Sequence, residues 1–481
     1  MMAKKEKVKR KPTLLEGLIP LLFMIFALTF GVGFLGFRAE PIIIISAFIA
    51  GIIAWNLGYT WKDMQKGIID KISSALPATL ILWSVGFLIG SWMFSGTVPM
   101  IIYYGVDIVS PKFLLVTAFI ISAILSIVTG TSWGSAGTIG VAIMGIARGL
   151  GVSLPATAGA VVAGAYFGDK LSPLSDTTNL APIAAGSELY EHIRHMLYTT
   201  IPAMIVSLIV YFIVGLGSSG NVTTPESVIT LQSQLSDIFN WNIILLLPVL
   251  MIIAGSVFKL PTIPTMLGTS LISIMLGAFV QGFSFQNGFT SLIQGFSVDM
   301  IGYEGEVSDV VTTLINRGGV ASVTTTTVLI FSAMGFAGII SVAGMLDVVL
   351  DALLSKVKST AGIILSTIAS CFTVAFVTGS SYLSILIPGE LFKDAYIRKN
   401  LAPKNLSRTL EDSGTVIVPL VPWSAAGAYM TVTLGVPTIK YLPWAVLNYT
   451  GIIFAIIFAF TGIGIAKLKP NIQLDKTEKR A

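Results

Sequence analysis

The chain has 481 residues, of which 54% are hydrophobic and 11% charged, and its mean hydropathy is +0.86. Soluble domains carry about 25% charged residues, so a water-facing globule is excluded and most of the surface must meet hydrocarbon. The net charge of +5 is concentrated in the termini and a few loops. That is a membrane-topology signal rather than a nucleic-acid surface, and a single cysteine, Cys371, excludes an internal disulfide.

Residues 1–12 form a basic tail containing the run Lys4 to Lys11. An apolar segment follows, as in a secretory signal. No small-residue cleavage site ends it and its length approaches the ~20 residues of a span, so it reads as an uncleaved first helix. Apolar spans are expected near 13–31, 41–57, 72–95, 154–186, 196–216, 240–258, 262–282, 324–346, 408–434 and 441–466. Two further apolar regions, 113–150 and 360–392, are broken by polar, glycine-bearing tips. The first tip is Thr129, Gly130, Thr131 and Ser132; the second is Thr378, Gly379, Ser380 and Ser381. Backbone groups freed by such a break have no water to bond in lipid. Each region therefore reads as a re-entrant hairpin buried in protein.

Ten crossings put both termini on one side. The basic stretch 393–408 falls on that side and the acidic loops 217–239 and 283–322 on the other. The positive-inside bias then makes both termini cytoplasmic, in the inner (cell) membrane. The fold class expected is an all-α polytopic membrane protein of two similar repeats, 13–216 and 240–466. An extracytoplasmic linker at 217–239 joins them, and a cytoplasmic tail at 467–481 ends the chain. Each half makes an odd number of crossings, so the repeats are expected to be inverted, a plan that places substrate at the repeat interface.

The densest polar cluster within apolar sequence is 168–182. It offers Asp169, Lys170, Ser172, Ser175, Asp176, Thr177, Thr178 and Asn179, with Pro173 and Pro182 interrupting the helix. Carboxylate, hydroxyl, amide and freed carbonyl oxygens together suit a hard monovalent cation such as Na+. Charges within a spanning segment are costly and usually functional, so Asp169 and Asp176 are the first candidates to bind the cation and exchange it for protons. Glu411, Asp412, Ser413 and Thr415 are read as the counterpart in the second half. The tip hydroxyls are read as closing the site. The segment Glu188 to Met196, with His192 and His195, reads as a solvated connection. No phosphate loop, potassium-filter sequence or Cys/His cluster occurs. No cofactor is expected beyond transported Na+ and H+, and no enzyme activity or nucleic-acid partner.

At GTSWGSAGTIG (130–140), GAVVAGAYFGDKLSPLSDTTNLAP (159–182) and INRGG (315–319) the chain resembles the NhaC family of sodium/proton antiporters, within the ion-transporter superfamily. The resemblance covers nearly the whole chain. It implies a homodimer with a scaffold and a moving transport domain, working by elevator-type alternating access. The family includes plain Na+/H+ exchangers and malate/lactate antiporters, and the quoted motifs belong to both. An arginine in the core would favour an organic anion through a bidentate grip. None is read at the tips or breaks, with Arg148 the nearest, and this tilts the reading toward inorganic ions.

Overall fold

The structure, a computed structural model, describes residues 9–33, 35–217, 225–258, 260–355 and 359–468. Residues 1–8 and 469–481 of the two expected tails, and 218–224 of the expected linker, lie outside the described residues.

The first half opens with α1 (Leu14–Gly33), α2 (Ala39–Asn56), α3 (Trp61–Phe94) and α4 (Thr97–Ile108). α3 begins earlier than the apolar pattern suggests. Thr60 and Asp63 form a capping box, each side chain taking the other's backbone N–H. The resulting 34 residues run ~51 Å at 1.5 Å per residue, well beyond a hydrocarbon core of about 30 Å. α4 is a further helix that the expected spans omit. The first hairpin follows as α5 (Leu114–Thr129), α6 (Ser132–Ser135), a π-helical turn over Ala136–Gly140 and α7 (Val141–Gly149). The expected span 154–186 is two helices, α8 (Leu154–Leu171) and α9 (Asp176–Ala185), and α10 (Leu189–Gly217) ends the half.

α11 (Pro225–Ile238) lies within the expected linker, and the chain bends by 100° after it. α12 (Leu247–Val257) and α13 (Thr262–Phe279) come next. The expected acidic loop 283–322 is largely helical, with α14 (Phe285–Gln294) and α15 (Asp309–Ile315). The segment is docked on α3, where the Gly319 N–H bonds the Gly86 carbonyl at 2.8 Å. Then follow α16 (Thr324–Val342), α17 (Met345–Ser355), the second hairpin α18 (Thr360–Thr378) and α19 (Ser381–Arg398), and α20 (Pro403–Leu410). α21 (Ala425–Leu434), α22 (Thr438–Tyr441) and α23 (Val446–Thr461) are the last helices among the described residues.

Among the described residues, seven helices are long and apolar enough to span a membrane, or up to ten if each bent pair is one span. Many carry large apolar side chains outward, among them Phe26, Phe48, Ile213 and Phe279. This is the surface of an all-helical polytopic membrane protein.

The first hairpin is seated by close backbone approach. A Cβ at Gly164 of α8 would lie 2.2 Å from the Phe119 carbonyl oxygen of α5, and one at Gly168 only 2.3 Å from that of Ala123. Small residues four apart let spanning helices touch along their backbones. Gly164→Leu is therefore expected to cost about 3 kcal/mol or more through overpacking, read as a lower thermal midpoint in detergent. An unchanged midpoint would show that α5 and α8 do not meet there.

Candidate functional site

The two hairpin tips are built alike. α5 ends at Gly130 (φ +70°) and α18 at Gly379 (φ +59°), a left-handed conformation that glycine adopts without penalty. Thr131 and Ser380 are extended and cap the next helix, accepting from the N–H of Gly134 (3.2 Å) and Leu383 (3.4 Å). The hydroxyls of Thr129 and Thr378 donate back to the carbonyls of Leu125 and Val374, both at 2.8 Å. Self-bonding of this kind is usual for helical Thr and occupies both protons. Each tip rests on a helix break. A Cβ on Gly130 would fall 2.6 Å from the Leu174 Cβ, and one on Gly379 3.0 Å from the Ser424 Cα.

The first break is Ser172–Ser175, between α8 and α9. Ser175 caps α9 by accepting from the Thr178 N–H. Thr178 Oγ1 donates to the freed carbonyls of Asp169 (3.0 Å) and Lys170 (3.2 Å). Asn179 Nδ2 donates to the carbonyls of Pro173 (2.8 Å) and Ser175 (2.7 Å), and Ser172 Oγ to that of Ile127 (2.7 Å). Ser172 and Asn179 thus hold the shape of the break.

The second break lies later than the sequence alignment of the halves places it. Val421-Pro422-Trp423-Ser424 matches Ser172-Pro173-Leu174-Ser175, and Ser424 caps α21 through the Gly427 N–H at 2.9 Å. Glu411–Thr415 instead forms a buried π-helical turn directly after α20, two to three turns ahead of the break. In backbone register the acids of the first break correspond to Val418 and Ala425 of the second half, so the likeness of the halves is one of caps and prolines, not of charges.

The acids take four different positions. Asp169 is buried and its Oδ2 accepts from Ser132 Oγ of the first tip at 2.8 Å. Glu411 is fully buried; its Oε1 accepts from Thr177 Oγ1 at 3.2 Å, and Thr177 shares a 3.3 Å hydroxyl contact with Ser175. Glu411 Oε2 and Thr415 Oγ1 are buried without a partner among the described residues. Asp412 is fully buried but saturated: the Lys170 ammonium bonds Oδ1, and Thr199 Oγ1 donates to Oδ2 at 2.8 Å. Ser413 donates to the Thr409 carbonyl at 2.5 Å. Asp176, the first residue of α9, is exposed and accepts from Tyr382 of the second tip at 3.2 Å. Trp133 of the first tip stacks on Tyr429 of α21 at 4.3 Å, and Tyr429 donates to its carbonyl at 2.6 Å. Trp133 and Tyr382 stand at the same place in their tips, two residues past the cap, and each reaches the short helix of the other half.

A cavity of about 960 Å³ collects this set. Both tips, Asp169, Ser175, Asp176, Thr177 and Thr415 line it, while Asp70, Lys71 and Ser74 of α3 form part of the facing wall. Ser172, Asn179, Glu411, Asp412 and Ser413 stand behind the wall. Around Asp169 and Thr177 the donor set is all oxygen, which suits a small hard cation held in passing rather than a resident transition metal.

Three groups take places that the sequence reading does not give them. Lys170 is buried and paired. Arg408, expected in a solvated basic stretch, is fully buried and donates to the Gly464 carbonyl at 3.0 Å, so an arginine does lie in the core, one turn from Asp412. His192 and His195, expected in water, are buried against Ser407 (2.9 Å) and Asn405 (3.2 Å). For Arg408 and the two histidines the reason is that α20 turns its polar face inward onto α10. The signal available was the run Asn405 to Asp412, too polar to be an ordinary span start and continuous with the acids.

Lys170→Met leaves Asp412 buried without its cation, a loss of about 3–5 kcal/mol. Adding Asp412→Asn should restore most of it, because the stranded charge is gone. Thermal midpoints of the two single variants and the double variant measure this, and a Lys170→Met protein as stable as the parent would show that the pair is not formed.

Residues 164–463 match the Na+/H+ antiporter family, a stretch holding both breaks and the second tip. An uncharacterized Na+/H+ antiporter of Haemophilus influenzae is 51% identical, covering 96% of this chain and 98% of its own. The Na+/H+ antiporter NhaC of Alkalihalophilus pseudofirmus is 39% identical over 89% of this chain and 92% of its own. A malate-2H+/Na+-lactate antiporter of Bacillus subtilis is 37% identical over 96% and 97%. These relatives are transporters, not enzymes. The chain belongs to the Na+/H+ antiporter family, among its NhaC-type members.

Proposed function

We propose that this chain exchanges cytoplasmic sodium for external protons by alternating access, with the cation held at Asp169. The observation that carries the proposal is the 2.8 Å bond from Ser132 to Asp169. It places a buried carboxylate of one broken helix directly under the tip of a hairpin, beside a cavity. Thr177 and Ser175 supply hydroxyl oxygens. Glu411 and Thr415, each with an unpartnered buried oxygen, complete a second layer into which a proton or a partly dehydrated cation can move. Asp176 faces the cavity and collects the cation first. Binding a proton and binding a cation at one carboxylate exclude each other, which is the coupling that exchange needs.

The matched tips and caps support a pair of inverted repeats, and the site where tips and breaks meet is the element that would move in an elevator. The remaining parts of the proposal are a homodimer in the cell membrane with both termini cytoplasmic. A second reading keeps this architecture and makes the cargo an organic acid, malate with protons against lactate with sodium. The cavity volume, far above that of an ion, favours it, as does the named activity of the Bacillus subtilis relative.

Purified protein in liposomes with an internal pH dye separates the readings. A sodium gradient alone is expected to move protons. Asp169→Asn should abolish movement. Asp176→Asn should raise the KM for sodium about tenfold, the value of one charge contact of ~1.4 kcal/mol, with little change at saturation. Wild-type rates in Asp169→Asn would remove the site, and movement only with malate and lactate gradients would select the second reading.

A further inference from the structure

α10 and α23 lie antiparallel. Tyr211, late in α10, bonds the Trp444 carbonyl just before α23 at 2.7 Å, and the start of α10 meets the end of α23 around a second cavity of about 550 Å³. Both helices turn large apolar side chains outward. Tyr198, Ile201, Ile205, Ile209 and Phe212 follow one face of α10, and Ile453, Ile457 and Phe460 one face of α23. Spacings of three and four residues make each row continuous. The row on α10 begins at Tyr198, which is half-exposed and lines the cavity.

The cavity itself is polar and basic. Arg194 and Lys404 line it with His195, and Glu191 is its one acid. Arg194 is exposed and makes no hydrogen bond or ion pair among the described residues, whereas Lys404 reaches Glu191 at 3.6 Å. Arg408 stands behind the wall. Its Nη1 bonds the carbonyl of Gly464, a lining residue, while Nε and Nη2 are buried with no partner among the described residues. Asp412, one turn along, attracts Arg408 electrostatically but makes no hydrogen bond to it, its oxygens bonding Lys170 and Thr199. Arg194 and Lys404 against the single lining acid Glu191 leave positive potential at the end of these apolar helix faces.

We propose that this cavity binds the phosphate of an acidic phospholipid whose acyl chains lie along the apolar faces of α10 and α23. Basic pockets between spanning helices take anionic headgroups in this way, and a half-exposed tyrosine at the junction suits the headgroup level. The continuous apolar faces select a lipid over free phosphate, and the site shares no lining residue with the cation cavity.

Native mass spectrometry of the delipidated full chain tests this with phosphatidylglycerol, phosphatidylcholine of matched chains, and inorganic phosphate. Phosphatidylglycerol is expected to bind at least about tenfold more tightly than phosphatidylcholine. The Arg194→Gln/Lys404→Gln variant should lose roughly 10- to 30-fold of that affinity, at about a few-fold to tenfold per charge. Arg194 is exposed, so Arg194→Gln alone keeps the fold and must still weaken acidic-lipid binding, whereas Glu191→Gln must strengthen it. Equal binding of the two lipids, or phosphatidylglycerol affinity unchanged in Arg194→Gln, would overturn the proposal. So would inorganic phosphate binding with the same variant dependence while the lipids bind alike.

Discussion

The buried ion pair between Lys170 and Asp412 organises the interior. It joins the last turn of α8 to the π-helical turn after α20, and both side chains are withdrawn from solvent. Ions moved out of water must be matched in charge and in hydrogen bonds, and Thr199 completes the shell of Asp412. Each member of the pair is the second residue of a charged doublet, Asp169-Lys170 and Glu411-Asp412. Fixing the second residues together brings the first ones, Asp169 and Glu411, to the same interface. Thr177, which bonds Glu411, and Ser132, which bonds Asp169, then tie the doublets to the break and the tip.

Around that interface, most polar groups are consumed by the backbone. A broken helix frees carbonyl and N–H groups that must be answered inside an apolar body, and Ser172, Ser175, Thr178, Asn179, Ser380 and Ser424 answer them. The chemistry left over is small: one carboxylate under a tip, one carboxylate behind it, a few hydroxyls, and an exposed acid at the cavity. A transported ion needs a site of this kind, with enough oxygens to replace water but without the closed shell that would trap it.

Much of the fold was legible because glycine and proline mark breaks by steric rule. The tips at Gly130 and Gly379, the break at Pro173 and most spans follow from their positions. The cluster 168–182 was legible because so many oxygens in apolar sequence have few bland explanations. The pairings were not. A sequence shows that Lys170 and Asp412 are charged, but not that they meet across 242 positions. Arg408, His192 and His195 looked like loop residues because nearby basic residues do lie at the surface, and only the packing of α20 on α10 reverses that. The second break was misplaced because acids were matched to acids, whereas the caps Ser175 and Ser424 carry the register. α3 ran past its expected start because a capping box at Thr60 extends a helix without any apolar signal.

The central claim is that the cation sits between the first tip and the first break, on Asp169. Crystals grown with thallium(I) in place of sodium would locate it by anomalous scattering. The account predicts a peak in contact with Asp169 and the hydroxyls of Ser132, Ser175 or Thr177, whereas a peak elsewhere in the cavity, away from Asp169, would contradict it.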